Sequence, residues 1–377
     1  MARNMIRANR HIFSKLVEFV EESDVSVEQP DAIRYIKTDD EGKKWLKELK
    51  ALDRDRYPYP ILPMLKVSSI EFDEKEYFVI VGWETSISFI EILNQVPLNA
   101  GLATALLSDL DIPVRQGSDP FSIVDEVLFQ YGRDKTDPSY SGHDFNDIVK
   151  FFEPFYVYEI RDDSPLRGDD LFRIAGYAVC QYSDHIFLSF SPETIRKFKK
   201  MFLEGVSNIP YENLLLSLTA IHWKFSFLDI YRCLECLFPI VSLDELYQNI
   251  GCSISLLELS IEIEERIKWW PKEAEAINKL IDGASPDVRE LLREVKNSLV
   301  GDTEGKKFDF FYEIRNSIVH YRPGTRTYTL NQENWDKLIK GGLAVIEYWY
   351  KRYDSSLKPG GSAGMEMRCD VKKRIVP

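Results

Sequence analysis

Strand-forming signal ends at Phe190, and that break constrains the fold more than any other feature of the chain. Ser191-Pro192-Glu193 places a hydroxyl at an N-cap, a proline at the first helical position and an acid in the first turn. A helix therefore starts there, runs through Lys197–Glu204 and stops at Gly205. Beyond it only helical pattern follows. Tyr211–Phe238 is a long apolar-rich run ended by Pro239, and Ser253–Trp270 is a second helix stopped by Pro271. Pro271–Ile281 forms a third, before Gly283. Ser285-Pro286-Asp287 caps a fourth that runs to Gly301. Lys307–Tyr321 is a fifth, ending before Pro323-Gly324, and Gln332–Tyr353 is the last. The short connections imply an antiparallel bundle. Gly341-Gly342 in the last helix points to a close helix approach, because glycine otherwise costs about 1 kcal/mol at each position.

Before the break the chain reads as mixed α and β. Lys43–Leu52 is a short amphipathic helix, stopped by the proline-rich, extended Tyr57–Pro63. Leu65–Phe72 and Tyr77–Trp83 flank the polar turn Asp73-Glu74-Lys75-Glu76 as a hairpin. Ile87–Leu107 reads as helix with a break near Pro97, and Phe121–Tyr131 as a helix inside a Gly-, Pro-, Asp- and Ser-rich stretch. Phe155–Ile160, Arg173–Tyr182 and His185–Phe190 are strand candidates, the last two paired through Ser183-Asp184. The expected class is α+β: a mixed α/β domain over 1–206, an all-α helical bundle over 207–353 and a flexible tail over 354–377, with the boundary at Gly205–Pro210.

A chain of 377 residues suits about two domains, and 44 % apolar content excludes a disordered one. No window of about 18 uncharged apolar residues occurs, so no membrane association is expected. The N-terminus lacks a signal-peptide core before Lys15 and Glu18, which predicts a cytoplasmic protein. Five scattered cysteines argue against a disulfide framework and fit a reducing compartment. Cys233-Leu234-Glu235-Cys236 has C-x-x-C spacing but no second pair at zinc spacing, so it reads as two helical core cysteines. The net charge of −13 excludes a broad nucleic-acid-coating protein. From Lys306 onward, however, 14 Lys and Arg face 8 Asp and Glu, a balance of +6 that leaves −19 on the first 305 residues. The tail Lys372-Lys373-Arg374 supplies part of that excess.

The one basic region also holds the one polar constellation with chemical content. At roughly 100° per residue, Phe311, Ile314 and Ile318 share the core stripe of the fifth helix. Asn316 and His320, four apart, fall together on the opposite face, with Tyr312 and Glu313 flanking them and Arg315 at the border. An imidazole can move a proton near neutral pH. A guanidinium can grip two phosphate oxygens and stabilise transition-state charge. An amide can bind phosphate and orient the imidazole. Together these suit RNA cleavage by the neighbouring 2′-hydroxyl, which needs no metal or cofactor and which DNA cannot support. A plainer reading pairs Arg315 with an acid and leaves His320 at the helix terminus near Pro323.

Arg315-Asn316-Ser317-Ile318-Val319-His320, with the aromatic approach Phe308–Ile314 and a final amphipathic helix, resembles the HEPN ribonucleases. Their pattern is an arginine, an adjacent polar residue, and a histidine after four to six intervening positions. The likeness covers residues 205–353. It implies a HEPN-like ribonuclease domain with Arg315, His320 and Asn316 as catalytic residues. It further implies a metal-independent endoribonuclease acting as a toxin or in anti-phage defence, and a homodimer or higher even oligomer with two motif helices facing one cleft. The domain order looks most like the ApeA-type abortive-infection branch. The N-terminal domain would then be a sensor or substrate selector, with a phage-derived or nucleotide trigger. Alternatives are a CRISPR-associated ribonuclease gated by a cyclic oligonucleotide, which requires a parallel nucleotide-binding sheet, and a non-catalytic dimerisation module.

Glu235, on the first long helix, is the candidate polar contributor to the cleft, as related modules often have one there, and Arg232 is its neighbour. With Tyr312 and with Tyr321, which could stack a base, it forms the expected substrate-binding set. His222 reads as a core or boundary histidine; Asp184-His185 and His143-Asp144 read as surface residues with no nucleophile nearby. No G-x-G-x-x-G, Walker A or H-E-x-x-H pattern occurs.

Overall fold

A computed structural model describes residues 5–25, 34–51, 59–62, 65–84, 93–128, 140–166, 171–182, 186–251, 253–300, 308–320 and 328–357. The fold is α+β, with a small antiparallel sheet confined to the N-terminal part and helices after it. The chain divides into two compact units, Met1–Leu171 and Phe172–Pro377.

In the first unit, α1 (Met5–Glu22) buries Ile12, Phe13, Leu16, Val17 and Val20, one stripe at helical spacing. α2 (Asp40–Glu48) starts where the Asp39 carboxylate accepts the Gly42 N–H. Two short strands follow, β1 (Lys50–Ala51) and β2 (Tyr59–Pro60). β3 (Lys66–Phe72) and β4 (Lys75–Val81) form the expected hairpin. Its turn is Asp73-Glu74, both at positive φ (52° and 61°), the geometry that matches strand twist across a two-residue loop. Next come β5 (Leu93–Val96), α3 (Ala100–Asp109), α4 (Pro120–Ile123) with a π-helical continuation Val124–Leu128, α5 (Phe145–Val149) and β6 (Phe155–Ile160). The sheet order is β1-β3-β4-β6-β5, with β2 also on β3, and every strand pairing is antiparallel. The cyclic-oligonucleotide alternative needs a parallel sheet, and these strands do not form one.

Four expectations in this region are corrected. Leu93–Val96 lies in an apolar run that reads as helix, yet it pairs as an edge strand with β6, from Leu93↔Ile160 to Val96↔Val157. Helix begins only after Asn99, whose side chain accepts the Leu102 N–H. The strand expected at Arg173–Tyr182 is helix α6 (Leu171–Gln181), and no strand occurs among the described residues 186–190. His143 is buried, not on the surface, between the rings of Phe13 and Tyr140. Burial pushes its pKa down to about 4, with Arg34 and Lys37 adding to the shift.

The second unit starts earlier than Gly205–Pro210, because α6 belongs to the bundle. The buried Arg173 guanidinium donates to the carbonyls of Phe202 (2.7 Å), Leu203 (3.0 Å) and Gly205 (2.9 Å). These are the open carbonyls at the end of α7 (Pro192–Glu204), which Ser191 caps as expected by accepting the Thr194 N–H. The apolar run after Pro210 is not one helix. It divides into α8 (Tyr211–Thr219) and α9 (Trp223–Glu235), with the exposed His222 as N-cap, its Nδ1 accepting the Lys224 N–H. Pro239 starts a helix instead of ending one, at the first turn of α10 (Phe238–Ile250), where a missing N–H costs nothing. α11 (Leu256–Ile267) carries a Ser255/Glu258 capping box. α12 (Glu273–Asp282), α13 (Pro286–Val300), α14 (Phe310–Val319) and α15 (Gln332–Arg352) complete the bundle. The core joins Phe198, Phe227, Ile230, Leu234, Phe311, Ile314, Leu343 and Tyr350, all essentially inaccessible. Cys180 and Cys233 are free and buried, whereas Cys236 is disulfide-bonded, against the expectation that the cysteines stay reduced.

Candidate active site

α14 is anchored at its start by α12. The Asn278 amide donates to Asp309 (2.6 Å), and its oxygen accepts the Phe308 N–H (2.7 Å). Phe310, Phe311 and Ile314 then bury the inner stripe, while Ile318 is only half-buried because the helix ends at Val319. This docking sets the height of Arg315 beside the end of α9 and the start of α12.

Arg315 is the centre of a compact polar cluster. Its Nη1 donates to Asn316 Oδ1 (3.0 Å) and its Nη2 to Glu235 Oε1 (3.3 Å); Glu273 Oε1 lies 3.6 Å from the same nitrogen. The guanidinium carbon sits 5.8 Å from the Tyr231 ring centre, within cation–π range. Tyr231 donates at 3.5 Å to Glu273. Arg232, also on α9, pairs with Asp229 at 2.6 Å. Burial raises the Glu235 carboxyl above its ordinary range; Arg315 pulls it back and Glu273 pushes it further up. Burial likewise raises the Tyr231 hydroxyl. Burial lifts Asp229 to about 6 against the opposing pull of Arg232.

The expected set is brought together only in part. Arg315, Asn316 and Glu235 meet. His320 is the first residue past the helix, in extended conformation, with its N–H donating to the Asn316 carbonyl at 2.9 Å. Its exposed ring makes no hydrogen bond among the described residues. Asn316 therefore holds Arg315 and does not orient the imidazole: helical periodicity ends one residue too early to aim His320 at it. Tyr312 is half-buried beside the cluster, and Tyr321 lies outside the described residues. Both features of the plainer reading are present, an acid-paired Arg315 and a terminal His320.

Glu273 and Tyr231 were not legible as site residues. Tyr231 reads as one more aromatic in an apolar helix, and Glu273 as an ordinary first-turn acid. Only the packing of α12 beside α14 brings Glu273 to an arginine 42 positions away. Among the described residues no group of three or more His, Cys, Asp or Glu is placed to hold a metal ion. No described helix is long and apolar enough to cross a membrane. Comparison with models of known protein families, with curated proteins and with solved structures yields no match.

Proposed function

We propose that the C-terminal unit is a HEPN-type, metal-independent endoribonuclease in which Arg315 holds the scissile phosphate and His320 moves the proton. One observation carries this reading: a half-buried arginine is fixed by side chains from three helices just ahead of an exposed histidine with no described partner. A fixed guanidinium is pre-organised for phosphate, so little reorganisation opposes the charge that develops in the transition state. An unpaired imidazole is free to act as base or acid.

The pairing also explains how such an enzyme would be held off. Two carboxylates share one guanidinium, and a phosphate entering beside Arg315 must first displace or outweigh Glu235 and Glu273. A signal received by the N-terminal unit, phage-derived or a nucleotide, would release that clamp, which fits a toxin or abortive-infection role. Glu235 is then a positioning residue for Arg315, and Tyr312 remains available to contact RNA.

The test is cleavage of total RNA by the whole protein. Wild type should cut it in the presence of chelator and leave 2′,3′-cyclic phosphate and 5′-hydroxyl ends. His320→Ala and Arg315→Ala should be folded and inactive, and 2′-deoxy substitution at the cut site should block cleavage. Undiminished cleavage by His320→Ala, or 5′-phosphate products, would sink the mechanism. A wild type without activity would favour the alternative, a non-catalytic dimerisation module.

A further inference from the structure

Within the C-terminal unit, α7, α15 and the first turn of α13 line an open cavity of ≈ 540 Å³, bordered in part by Lys197, Ser285, Val288, Ala344, Tyr348 and Lys351. That size falls in the range of small-molecule sites, roughly 300–1,000 Å³. Ala344, buried on α15, leaves room where a larger side chain would fill the space, and Val288 and the half-buried Tyr348 ring supply an apolar wall.

The charge around it runs against the rest of the molecule. Glu347, the one carboxylate in the lining, is spanned by Lys197 (3.0 Å) and Lys200 (2.8 Å), so its charge is answered twice over. Lys351 has no ion-pair partner among the described residues. Arg352 donates to the Tyr348 hydroxyl at 3.3 Å and lies over Trp349, with no described carboxylate at ion-pair distance. Three cations of the lining, Lys197, Lys351 and Arg352, therefore meet its one carboxylate, a local surplus of two in a chain of net charge −13. Lys351 and Arg352 lie in the last turn of α15, where cations answer the helix's negative end. That accounts for neither the lysines on α7 nor the space between.

We infer that this cavity binds a nucleoside triphosphate, with the base against Val288, Ala344 and Tyr348 and the phosphates between Lys197, Lys351 and Arg352. The ligand must combine a flat apolar part with a multiply charged anionic chain, which the lining cations would hold. The site is independent of the ribonuclease reading, since it shares no residue with the Arg315 cluster.

Calorimetric titration of the whole protein with ATP and with GTP, at near-physiological salt, tests this. One binding event per chain is expected for at least one nucleotide. Adenosine, guanosine and inorganic triphosphate alone should each bind at least about tenfold more weakly, because each lacks half of the recognition. Lys351→Glu, on an exposed side chain that the fold does not need, should cost about tenfold or more. His320→Ala should bind as wild type does. No binding of either nucleotide, equal binding of bare triphosphate, or an unchanged affinity in Lys351→Glu would overturn the inference.

Discussion

At Arg315 charge, more than shape, decides what the site can accept. One guanidinium faces Glu235 at 3.3 Å and Glu273 at 3.6 Å, and only the first makes a hydrogen bond. Glu273→Gln should therefore keep Arg315 in place while removing a charge that repels phosphate. The expected result is a KM for RNA lowered by about threefold to tenfold with kcat little changed. Glu235→Ala should act the other way, lowering kcat, because Arg315 loses its anchor. Steady-state cleavage of a short RNA by both variants separates the two roles. In the other unit, His143 is neutral and buried, with a pKa depressed from 6.5 to about 4. A depressed pKa contributes stability that is present above pH 6.5 and lost as pH falls toward 4, on the order of 3 kcal/mol in full. His143→Phe, which keeps a ring against Phe13 and Tyr140, should flatten that dependence. Urea unfolding at pH 7 and pH 5, followed for the N-terminal unit, is the measurement.

At the scale of elements, α15 is the axis on which α7, α9 and α13 pack, and glycines set how closely two of them approach. A Cβ on Gly341 would lie 2.8 Å from Leu292 of α13, and one on Gly342 would collide with Cγ2 of Ile230 on α9. Ile230 is fully buried and β-branched, so it cannot swing away. Gly342→Ala gains about 1 kcal/mol in helix propensity. Overpacking should cost about 1–3 kcal/mol and win, giving a lower melting temperature for the C-terminal unit. A higher melting temperature would show that α9 and α15 can part without penalty. The same closeness aligns α9, and with it Glu235, against α14.

At the scale of the whole molecule, the proposed chemistry asks for more than one copy. A single His320 must serve as both base and acid, whereas two motif helices about a two-fold axis supply one for each step. Trp335, Trp349 and Tyr350 do not furnish that interface, because all three fill the bundle core. The half-exposed Val319, next to His320, is free to do so. Light scattering on active protein should show a homodimer or higher even oligomer, and Val319→Lys should reduce both assembly and cleavage. Activity that stays with a monomer peak would refute the shared cleft. The two units should also respond oppositely to acid. His143 weakens the first as pH falls, whereas Asp229, with a pKa raised to about 6, costs the second stability as pH rises from about 4 toward 6. Hydrogen exchange at pH 5 should find the N-terminal unit opening first.

What the sequence alone determined was local. The cap at Ser191, the polar turn beginning at Asp73 and the close approach at Gly341-Gly342 are legible because each depends on a few neighbouring residues. The place of Arg315 and Asn316 on a helix whose inner stripe is Phe311 and Ile314 is legible for the same reason, whereas His320 falls just past the end of that helix. Tertiary structure decided the rest. Leu93–Val96 is a strand because β6 offers it an edge, and α6 joins the bundle because Arg173 reaches the open carbonyls of α7. His143 is buried by packing that its own polar loop does not announce. Glu273 reaches Arg315 across 42 positions only because Asn278 pins α12 to the start of α14. Caps and periodicity act over a few residues. Charges meet where the core puts them, and the partner of a half-buried arginine is settled only when the helices have packed.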